Sequence, residues 1–236
     1  MTQEPPVTLA RAMTARGEIA LRRRGTGPGA VHELVVAGIF AMDSVDVTTE
    51  VALARRVLAG VTRPARVLVG GLGLGHTALA VLEDPRVRRL DVAELEPDLL
   101  AWARAGLVPS LAAVTADPRV RLVTGDVAGL LTEGDGVQDR YDAILLDVDN
   151  GPSFLVHPHN ARLYAADHLR ATLARLAPGG VLGIWAAQRE PALLDRLRDL
   201  AGGAGWPAGS VTEVVIPVAR ESHRFDYALY LATAAS

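Results

Sequence analysis

From Arg66 onward, short apolar runs alternate with segments of helical periodicity. The runs are VLVGG, RRLDVAE, VRLVTGD, YDAILLDVD and VLGIWAA. Such alternation is typical of βαβ units, which build a parallel sheet with helices on both faces. The last two runs, VTEVVIPVA and FDYALYLATA, have no helical segment between them. The pattern therefore predicts an α/β fold with a Rossmann-like, doubly wound, mostly parallel sheet that ends in an antiparallel C-terminal edge pair.

The region before Arg66 has a different pattern. Residues 1–16 are interpreted as a flexible leader. The β-prone runs GEIALRRR and VHELVVAGIFAM are separated by GTGPG, and this predicts an N-terminal β-hairpin over residues 17–46. The segment VDVTTEVALARRVLAG has apolar residues at helical spacing, with Thr48 or Thr49 as the expected N-cap. A Rossmann-like domain is expected over residues 47–236.

Composition narrows the functional classes. The 236 residues fit one α/β domain with a small appendage. A net charge of -3 gives no sign of a polyanion-binding surface, so no nucleic-acid partner is expected. The absence of cysteine excludes disulfides, thiolate metal sites and a cysteine nucleophile. No apolar run approaches the ~18 residues that a membrane span requires, and the N-terminus lacks a signal-peptide stretch, so we expect a cytoplasmic protein without a membrane partner.

A glycine-rich turn follows the first strand of the expected domain. The run VLVGG leads into G-L-G-L-G at positions 71 to 75, and a helical segment comes next. Glycines at such a turn let a ligand approach the backbone, and the helix N-terminus offers free N–H groups. We expect Gly71, Gly73 and Gly75 to line a nucleoside cofactor, although a tight βα connection alone would use the same residues.

Acidic residues close the next two strands. Glu94 stands about 20 residues after the glycines, where a carboxylate can accept both ribose hydroxyls. Asp126 ends the following strand and could accept from the adenine amine. Leu95 and Val127, beside them, are included in the expected cofactor site. The structural alternatives are a solvated strand end for Glu94 and a helix N-cap for Asp126. The G-x-G-x-G spacing favours S-adenosylmethionine over a nicotinamide dinucleotide.

This ordered set of motifs resembles the spermidine synthase family of aminopropyltransferases and the related methyltransferase-like proteins. The resemblance runs from about Glu18 to Tyr230 and rests on ELVVAGIFAMDS, VLVGGLGLGHTALAVLEDPRVRRLDVAELEPDLL, DPRVRLVTGD, YDAILLDVDNGP and LARLAPGGVL. It implies the class I S-adenosylmethionine-dependent methyltransferase fold, with S-adenosylmethionine or its decarboxylated form as the cofactor. It also implies that Glu94 holds the ribose and that Asp126 reads the adenine. Asp147 matches the first Asp of the family's D-S-S-D-P loop, which is associated with deprotonating the attacking amine.

Three departures from the family pattern bear on the reaction. Leu74 aligns with an Asp of the family's glycine loop that meets the aminopropyl ammonium. Asn150 aligns with the second Asp of the D-S-S-D-P loop, and Thr48 and Thr49 align near a Tyr-Gln or Tyr-His pair. Polyamine recognition requires carboxylates and aromatic walls. We therefore expect methyl transfer to a small-molecule acceptor ahead of aminopropyl transfer. A cofactor-binding protein without transferase activity, a cyclase scaffold or a binding module, is the third alternative.

The chemistry is expected to centre on the loop that follows YDAILL. Asp147 and Asp149 are the candidate bases, and two carboxylates this close could share a proton. Alternatively, Asp147 orients the cofactor or caps the loop. Asn150 and His157 are the candidate substrate-binding residues. No metal is expected, because His157 and His159 lack a third acidic ligand at a characteristic spacing.

The sequence context predicts the surroundings of three aromatic side chains, those of Trp102, Trp185 and Phe40. Trp102 falls on a helical apolar stripe and is expected in the core, whereas Trp185 is a candidate pocket wall. Ile39 and Phe40 form an apolar stretch on the predicted hairpin. Because hairpin edges and exposed apolar side chains gain by pairing with another subunit, a homodimer is a possible assembly.

Overall fold

The computed structural model describes residues 5–132, 140–155, 157–220 and 223–236. Its larger sheet has seven strands in the order β10-β11-β9-β8-β5-β6-β7. These strands are β5 (Arg66–Gly70), β6 (Arg89–Glu94), β7 (Val120–Thr124), β8 (Tyr141–Leu146), β9 (Leu176–Ala186), β10 (Val211–Arg220) and β11 (His223–Thr233). Strands β5 to β9 are parallel, and β11 runs antiparallel to both β9 and β10. The predicted mostly parallel sheet with an antiparallel edge pair is confirmed.

Strand β5 is the point at which the strand order reverses. It pairs with β6 on one side and with β8 on the other. In open α/β sheets, ligands bind in the crevice beyond the carboxyl ends of the strands at this switch point. The segments that follow β5 and β8, which begin with Gly71 and Asp147, are therefore placed side by side at that crevice.

Helices cover both faces of the sheet. Val67 and Val69 of β5 belong to one core, while Leu68 between them belongs to the other, as expected when successive side chains point to opposite faces. The first core includes residues of α1 to α4, and the second includes residues of α5 to α7. The helices are α1 (Thr48–Ala59), α2 (His76–Leu82), α3 (Pro97–Arg104), α4 (Pro109–Ala116), α5 (Val127–Thr132), α6 (Ala166–Ala174) and α7 (Pro191–Gly203). Trp102 packs against the first core.

A separate antiparallel sheet precedes the main domain. It contains β1 (Val7–Thr14), β2 (Gly17–Arg24), β3 (Val31–Val36) and β4 (Ile39–Asp43) in sequential order. The prediction of a flexible leader over residues 1–16 is wrong for residues 7–14, which pair with β2; residues 1–4 lie outside the described residues. Leu9 and Ala12 of β1 pack against the first core, which explains why this strand is ordered.

The single hairpin expected over residues 17–46 is also corrected. The run VHELVVAGIFAM turns at Ala37 and Gly38, whose φ angles of 51° and 76° are both left-handed, and so forms β3 and β4. Positive φ at both central positions is the requirement of a tight hairpin turn. Ile39 and Phe40 are exposed on β4, at an edge of this sheet, and the homodimer stays a prediction.

Two further elements differ from expectation. Val47, not Thr48 or Thr49, is the N-cap of α1, and Asp46 Oδ1 accepts a hydrogen bond from the Thr48 N–H at 3.0 Å. Helix α4 was not expected, since its sequence PSLAAVTA lacks a polar stripe.

Helices α3 and α4 bear on whether any helix could cross a membrane. Among the described residues, no single helix has both the length and the apolar composition needed to cross a bilayer. Within the described ranges, the one combination that meets those criteria is α3 together with α4, and this pair is bent by 85°. Leu99, Leu100 and Leu111 of this pair are buried in the first core, so core packing accounts for their apolar character.

Candidate active site

A cavity of about 520 Å³ lies at the switch point of the sheet. Its walls come from the carboxyl ends of β5, β6, β7 and β8, from the N-terminal sheet and from the start of α1. All but one of the predicted site residues line it: Gly71, Gly73, Glu94, Leu95, Asp126, Val127, Asp147, Asp149, Asn150 and His157. Their binding and catalytic roles stay predictions, but the structure brings them together around one space.

The glycines of the loop serve different contacts. A Cβ on Gly71 would lie 2.2 Å from the carbonyl oxygen of Asp147, and one on Gly73 would lie 2.6 Å from Met42 Sδ. Gly71 therefore excludes larger residues because its neighbour is backbone, whereas at Gly73 the flexible Met42 side chain would have to shift. Gly75 is a correction, because it does not line the cavity; a Cβ there would meet Val114 of α4 at 3.1 Å. Its φ of 86° gives the chain its turn into α2.

Glu94 connects the glycine loop to the end of β6. Its Oε2 accepts a hydrogen bond from the Leu72 N–H at 3.0 Å, and its Oε1 accepts one from the Glu96 N–H at 2.8 Å. Burial raises the pKa of this carboxyl, and the two backbone bonds act in the opposite direction. A carboxylate offers about four lone-pair sites, so acceptor capacity remains for a ribose hydroxyl beside the backbone bonds. This geometry fits the predicted nucleoside.

Asp126 combines the two alternatives that its position suggested. Its Oδ1 accepts a hydrogen bond from the Ala128 N–H at 2.8 Å, which caps α5. Its Oδ2 accepts a hydrogen bond from the guanidinium of Arg162. The side chain nevertheless lines the cavity. An adenine amine would share this carboxylate with Arg162, a partner that the sequence gave no reason to expect.

Leu74 has a different environment from the one expected. Its side chain is fully buried in the first core and does not line the cavity. Its N–H lies 3.3 Å from Met42 Sδ, and its carbonyl accepts a hydrogen bond from Ser110 Oγ at 2.6 Å. Leu74 is apolar because it packs in the core. It therefore places no charge on the cavity wall, and its bearing on methyl versus aminopropyl transfer stays a prediction.

Asp147 is held at the floor of the cavity. Its Oδ2 accepts a hydrogen bond from Thr77 Oγ1 at 2.5 Å, and its N–H donates to the Gly70 carbonyl at 3.0 Å. Burial raises the pKa of this carboxyl, and the bond from Thr77 lowers it. Thr77 belongs to the buried side of α2, so the loop after β8 is fastened to the helix after β5.

Asp149 is engaged by its own loop. Its Oδ2 accepts a hydrogen bond from Asn160 Nδ2 at 2.8 Å, and its Oδ1 accepts one from the Asn150 N–H at 2.9 Å. The group whose charge acts together with that of Asp147 is Glu50 of α1. Glu50 is thus an electrostatic neighbour of Asp147, and proton sharing between Asp147 and Asp149 stays a prediction.

Glu50 is the main functional candidate that sequence reasoning missed. It stands in the first turn of α1, lines the cavity and accepts a hydrogen bond from Thr49 Oγ1 at 2.7 Å. Burial first, and then the charge of Asp147, raise its pKa to about 7. An acidic residue in a first helical turn is ordinary, since it stabilises the helix dipole, so the sequence offered no distinguishing signal.

Aromatic side chains form another wall of the cavity. Trp185 stacks on Tyr227 with ring centroids 5.4 Å apart and an interplanar angle of 30°, and Tyr227 stacks on Phe225 at 6.3 Å. All three line the cavity, so the sequence correctly placed Trp185 at a wall. Within the described ranges, the buried Nε1 of Trp185 has no hydrogen-bond acceptor.

Comparisons with known proteins agree with this architecture. The chain is 31% identical over 165 residues to a polyamine aminopropyltransferase of Corynebacterium efficiens, a match that covers 68% of the chain and 30% of that protein. A spermidine synthase solved in complex with the transition-state analogue AdoDATO superposes with a TM-score of 0.75 at 17% identity, covering 96% of this chain and 73% of that one. The chain belongs to the spermidine synthase-like family. No protein-family model matches it.

The relatives of this spermidine synthase-like chain include methyltransferases as well. Putrescine N-methyltransferase 2 of Nicotiana tabacum is 32% identical over 127 residues, which is 53% of this chain and 33% of that protein. The chain spans about a third of the length of these two curated relatives. The relatives of this chain are therefore named for two reactions, aminopropyl transfer and methyl transfer.

His157 and the acidic groups raise the question of a metal in this family member. His157 lines the cavity at the start of a 3₁₀ segment (Pro158–Tyr164), whereas His159 is exposed and lies outside the cavity wall. Within the part of the chain that the structure describes, no group of three or more His, Asp or Glu side chains is arranged to hold a metal ion. The features that favour a bound ligand are therefore Glu94 beside the glycine loop and the carboxylates of the cavity wall.

Proposed function

We propose that this chain transfers the aminopropyl group of decarboxylated S-adenosylmethionine to a cationic amine of the polyamine class. The observation that supports the proposal most directly is the charge of the cavity wall. Five carboxylates line the cavity in addition to the nucleoside end: Asp43, Asp46, Glu50, Asp147 and Asp149. Among the described residues of that wall there is no Arg, and the chain contains no Lys. A wall of this kind favours cationic ligands over anionic ones.

The same charge distribution supports the decarboxylated cofactor. S-adenosylmethionine carries a carboxylate next to its ammonium, and that carboxylate would meet acidic side chains without a neighbouring cation. The decarboxylated form has the ammonium alone. With the nucleoside held by Glu94 and the glycine loop, the sulfonium and its aminopropyl arm would extend toward Thr77 and Asp147. Both cationic centres would then face carboxylates.

The residues of this chain contribute mainly by positioning. The amine nitrogen must approach the carbon beside sulfur from the side opposite the leaving thioether, and holding two reactants in that orientation provides much of the acceleration. Asp147 is fixed by Thr77 at 2.5 Å and so offers a stationary negative charge to the incoming amine. The stacked Trp185 and Tyr227 offer ring faces to a cation and to its methylene chain.

Methyl transfer to a similar amine is the second candidate. It is supported by the relatives from Nicotiana tabacum whose name is putrescine N-methyltransferase. The acidic acceptor wall suits either reaction, since both begin with a cationic amine. The two candidates differ in the form of the cofactor and in the group transferred, because methyl transfer uses intact S-adenosylmethionine and releases adenosylhomocysteine.

One assay separates these possibilities. Purified protein is incubated with putrescine or spermidine and with either form of the cofactor, and products are identified by mass spectrometry. We expect an aminopropylated amine and methylthioadenosine only with the decarboxylated cofactor. A methylated amine with adenosylhomocysteine would replace the proposal with the second candidate. Tight cofactor binding by calorimetry without either product would indicate a binding module, the non-transferase alternative.

A further inference from the structure

Glu50 and Asp147 approach the same part of the cavity from different elements. Glu50 comes from the first turn of α1, whereas Asp147 follows β8. Each carboxylate is held by one threonine hydroxyl: Thr49 Oγ1 donates to Glu50 at 2.7 Å, and Thr77 Oγ1 donates to Asp147 at 2.5 Å. The two carboxylates are therefore held in place on the cavity wall, and they are close enough for the charge of Asp147 to raise the pKa of Glu50.

Several titratable side chains face the cavity around Glu50. Helix α1 packs against α2, β8, β9 and β11. The titratable side chains that these elements and the preceding turn bring to the cavity are His76, Asp147, Tyr227, Asp43 and Asp46, and Asp149 lies on the same wall as Asp147. Burial, then Asp147, and to a lesser extent Asp46 raise the pKa of Glu50 to about 7, while the bond from Thr49 opposes them.

We propose that Glu50 is a catalytic residue that accepts the proton which the acceptor ammonium must lose before its nitrogen can attack, while Asp147 holds that nitrogen by its charge. This inference rests on the proposed function. The family resemblance associates deprotonation of the amine with Asp147, whereas here Glu50 accepts the proton and Asp147 holds the nitrogen. Asp147 is fastened to the sheet edge, whereas Glu50 opens on the cavity, from which a proton can return to water.

The step balances as follows. An acceptor R–NH₃⁺ gives one proton to the Glu50 carboxylate and becomes R–NH₂. The nitrogen lone pair forms a bond to the carbon beside sulfur, and the carbon–sulfur bond breaks with its electron pair passing to sulfur, which becomes a neutral thioether. The product is a secondary ammonium, R–NH₂⁺–R′. Glu50 then releases its proton to water, so one proton appears for each turnover.

The test is the pH profile of kcat/KM for the acceptor between pH 5.5 and 10. The wild type should show a rising limb near pH 7, because Glu50 must be ionised in the free enzyme. Glu50→Gln should lose that limb and about 100-fold in kcat/KM at pH 7. It should recover toward high pH, where the acceptor already exists as the free amine. Melting curves establish that the variant is folded.

Two further variants keep the inference falsifiable. Thr49→Val removes the hydrogen bond to the ionised Glu50 carboxylate, so the limb should move to higher pH. Glu83→Gln is the matched control: Glu83 is exposed, pairs with Arg55 at 3.2 Å and lies outside the cavity, so the limb should stay in place. A limb that persists near pH 7 in Glu50→Gln would overturn the role of Glu50 and leave the transfer itself standing. Absence of turnover in the wild type would overturn both.

Discussion

Thr77 Oγ1 donates a hydrogen bond to Asp147 Oδ2 at 2.5 Å, and this contact joins the helix after β5 to the loop after β8. The two strands meet at the switch point of the sheet, so the bond spans the crevice where the proposed reaction occurs. A hydroxyl donor to a partly desolvated carboxylate stabilises its charged form. The contact thus keeps Asp147 both oriented and able to carry a negative charge.

Replacing Thr77 with valine should therefore lower kcat/KM for the acceptor amine. The pKa of Asp147, already raised by burial, should rise further, because the bond that lowers it is lost. Hydrogen bonds to charged groups contribute about 1.5–3 kcal/mol, so a decrease of roughly 10- to 100-fold in kcat/KM is expected. Steady-state assays of acceptor turnover measure it. Thr115→Val is the control, since Thr115 bonds to the Ala112 carbonyl on α4, away from the cavity.

Glu50 should destabilise the ligand-free protein at neutral and higher pH. Its pKa rises from 4.5 to about 7 on folding, so the folded state binds more protons than the unfolded one between these values. Stability contributed below pH 4.5 is lost as the pH rises through 7, at a cost of roughly 2–3 kcal/mol. Glu50→Gln should consequently melt at a higher temperature than the wild type at pH 8.

The difference between the two proteins should shrink toward pH 5, where the wild-type carboxyl is protonated as well. Thermal unfolding followed by circular dichroism from pH 5 to 8 measures it without any substrate. Equal melting temperatures of Glu50→Gln and the wild type at pH 8 would contradict the raised pKa. The exposed Glu83→Gln serves again as the control for loss of one surface charge.

Gly71→Ala should be strongly destabilising because of one close approach. Its φ is 90°, and a Cβ would lie 2.2 Å from the Asp147 carbonyl oxygen. Gly209→Ala isolates the conformational part of the penalty, since Gly209 has a φ of 83° and no atom within 4 Å of its added Cβ. Left-handed backbone alone costs about 1–2 kcal/mol, so Gly209→Ala should lose about that much. Gly71→Ala should lose several kcal/mol in urea unfolding; equal losses would show that β8 can move aside.

The aromatic wall should affect binding of the acceptor amine and not binding of the cofactor. Trp185→Leu removes the ring that stacks on Tyr227, and a cation–π contact contributes about 0.5–2 kcal/mol. The KM for the amine should rise about 2- to 30-fold, with little change in the cofactor Kd measured by calorimetry. Trp102 packs against the core outside the cavity, so Trp102→Leu should lower the melting temperature and leave the KM for the amine unchanged. The reverse pattern would place the acceptor elsewhere.

Much of the cofactor end of the site could be predicted from sequence, for a physical reason. Gly71, Asp126 and Asp147 follow strands and Glu94 ends one, and the carboxyl ends of parallel strands meet at one edge of a sheet. Local periodicity is enough to recognise those strands. The right-handed connections of a doubly wound fold then place their ends side by side, so no long-range contact has to be known in advance.

The sequence by itself determined the α/β class, the glycine turn and the strand ends that form the cavity floor. Only the tertiary structure decided which way the side chains between them point. Leu74 enters the core and Gly75 faces α4 because of helices whose packing no local pattern encodes. Strand β1 exists because it pairs with β2 and covers part of the core. Glu50 and Asp147, 97 positions apart in the chain, line the same cavity because α1 packs over β8 and β9. That packing makes an acid of a first helical turn the central candidate of the site.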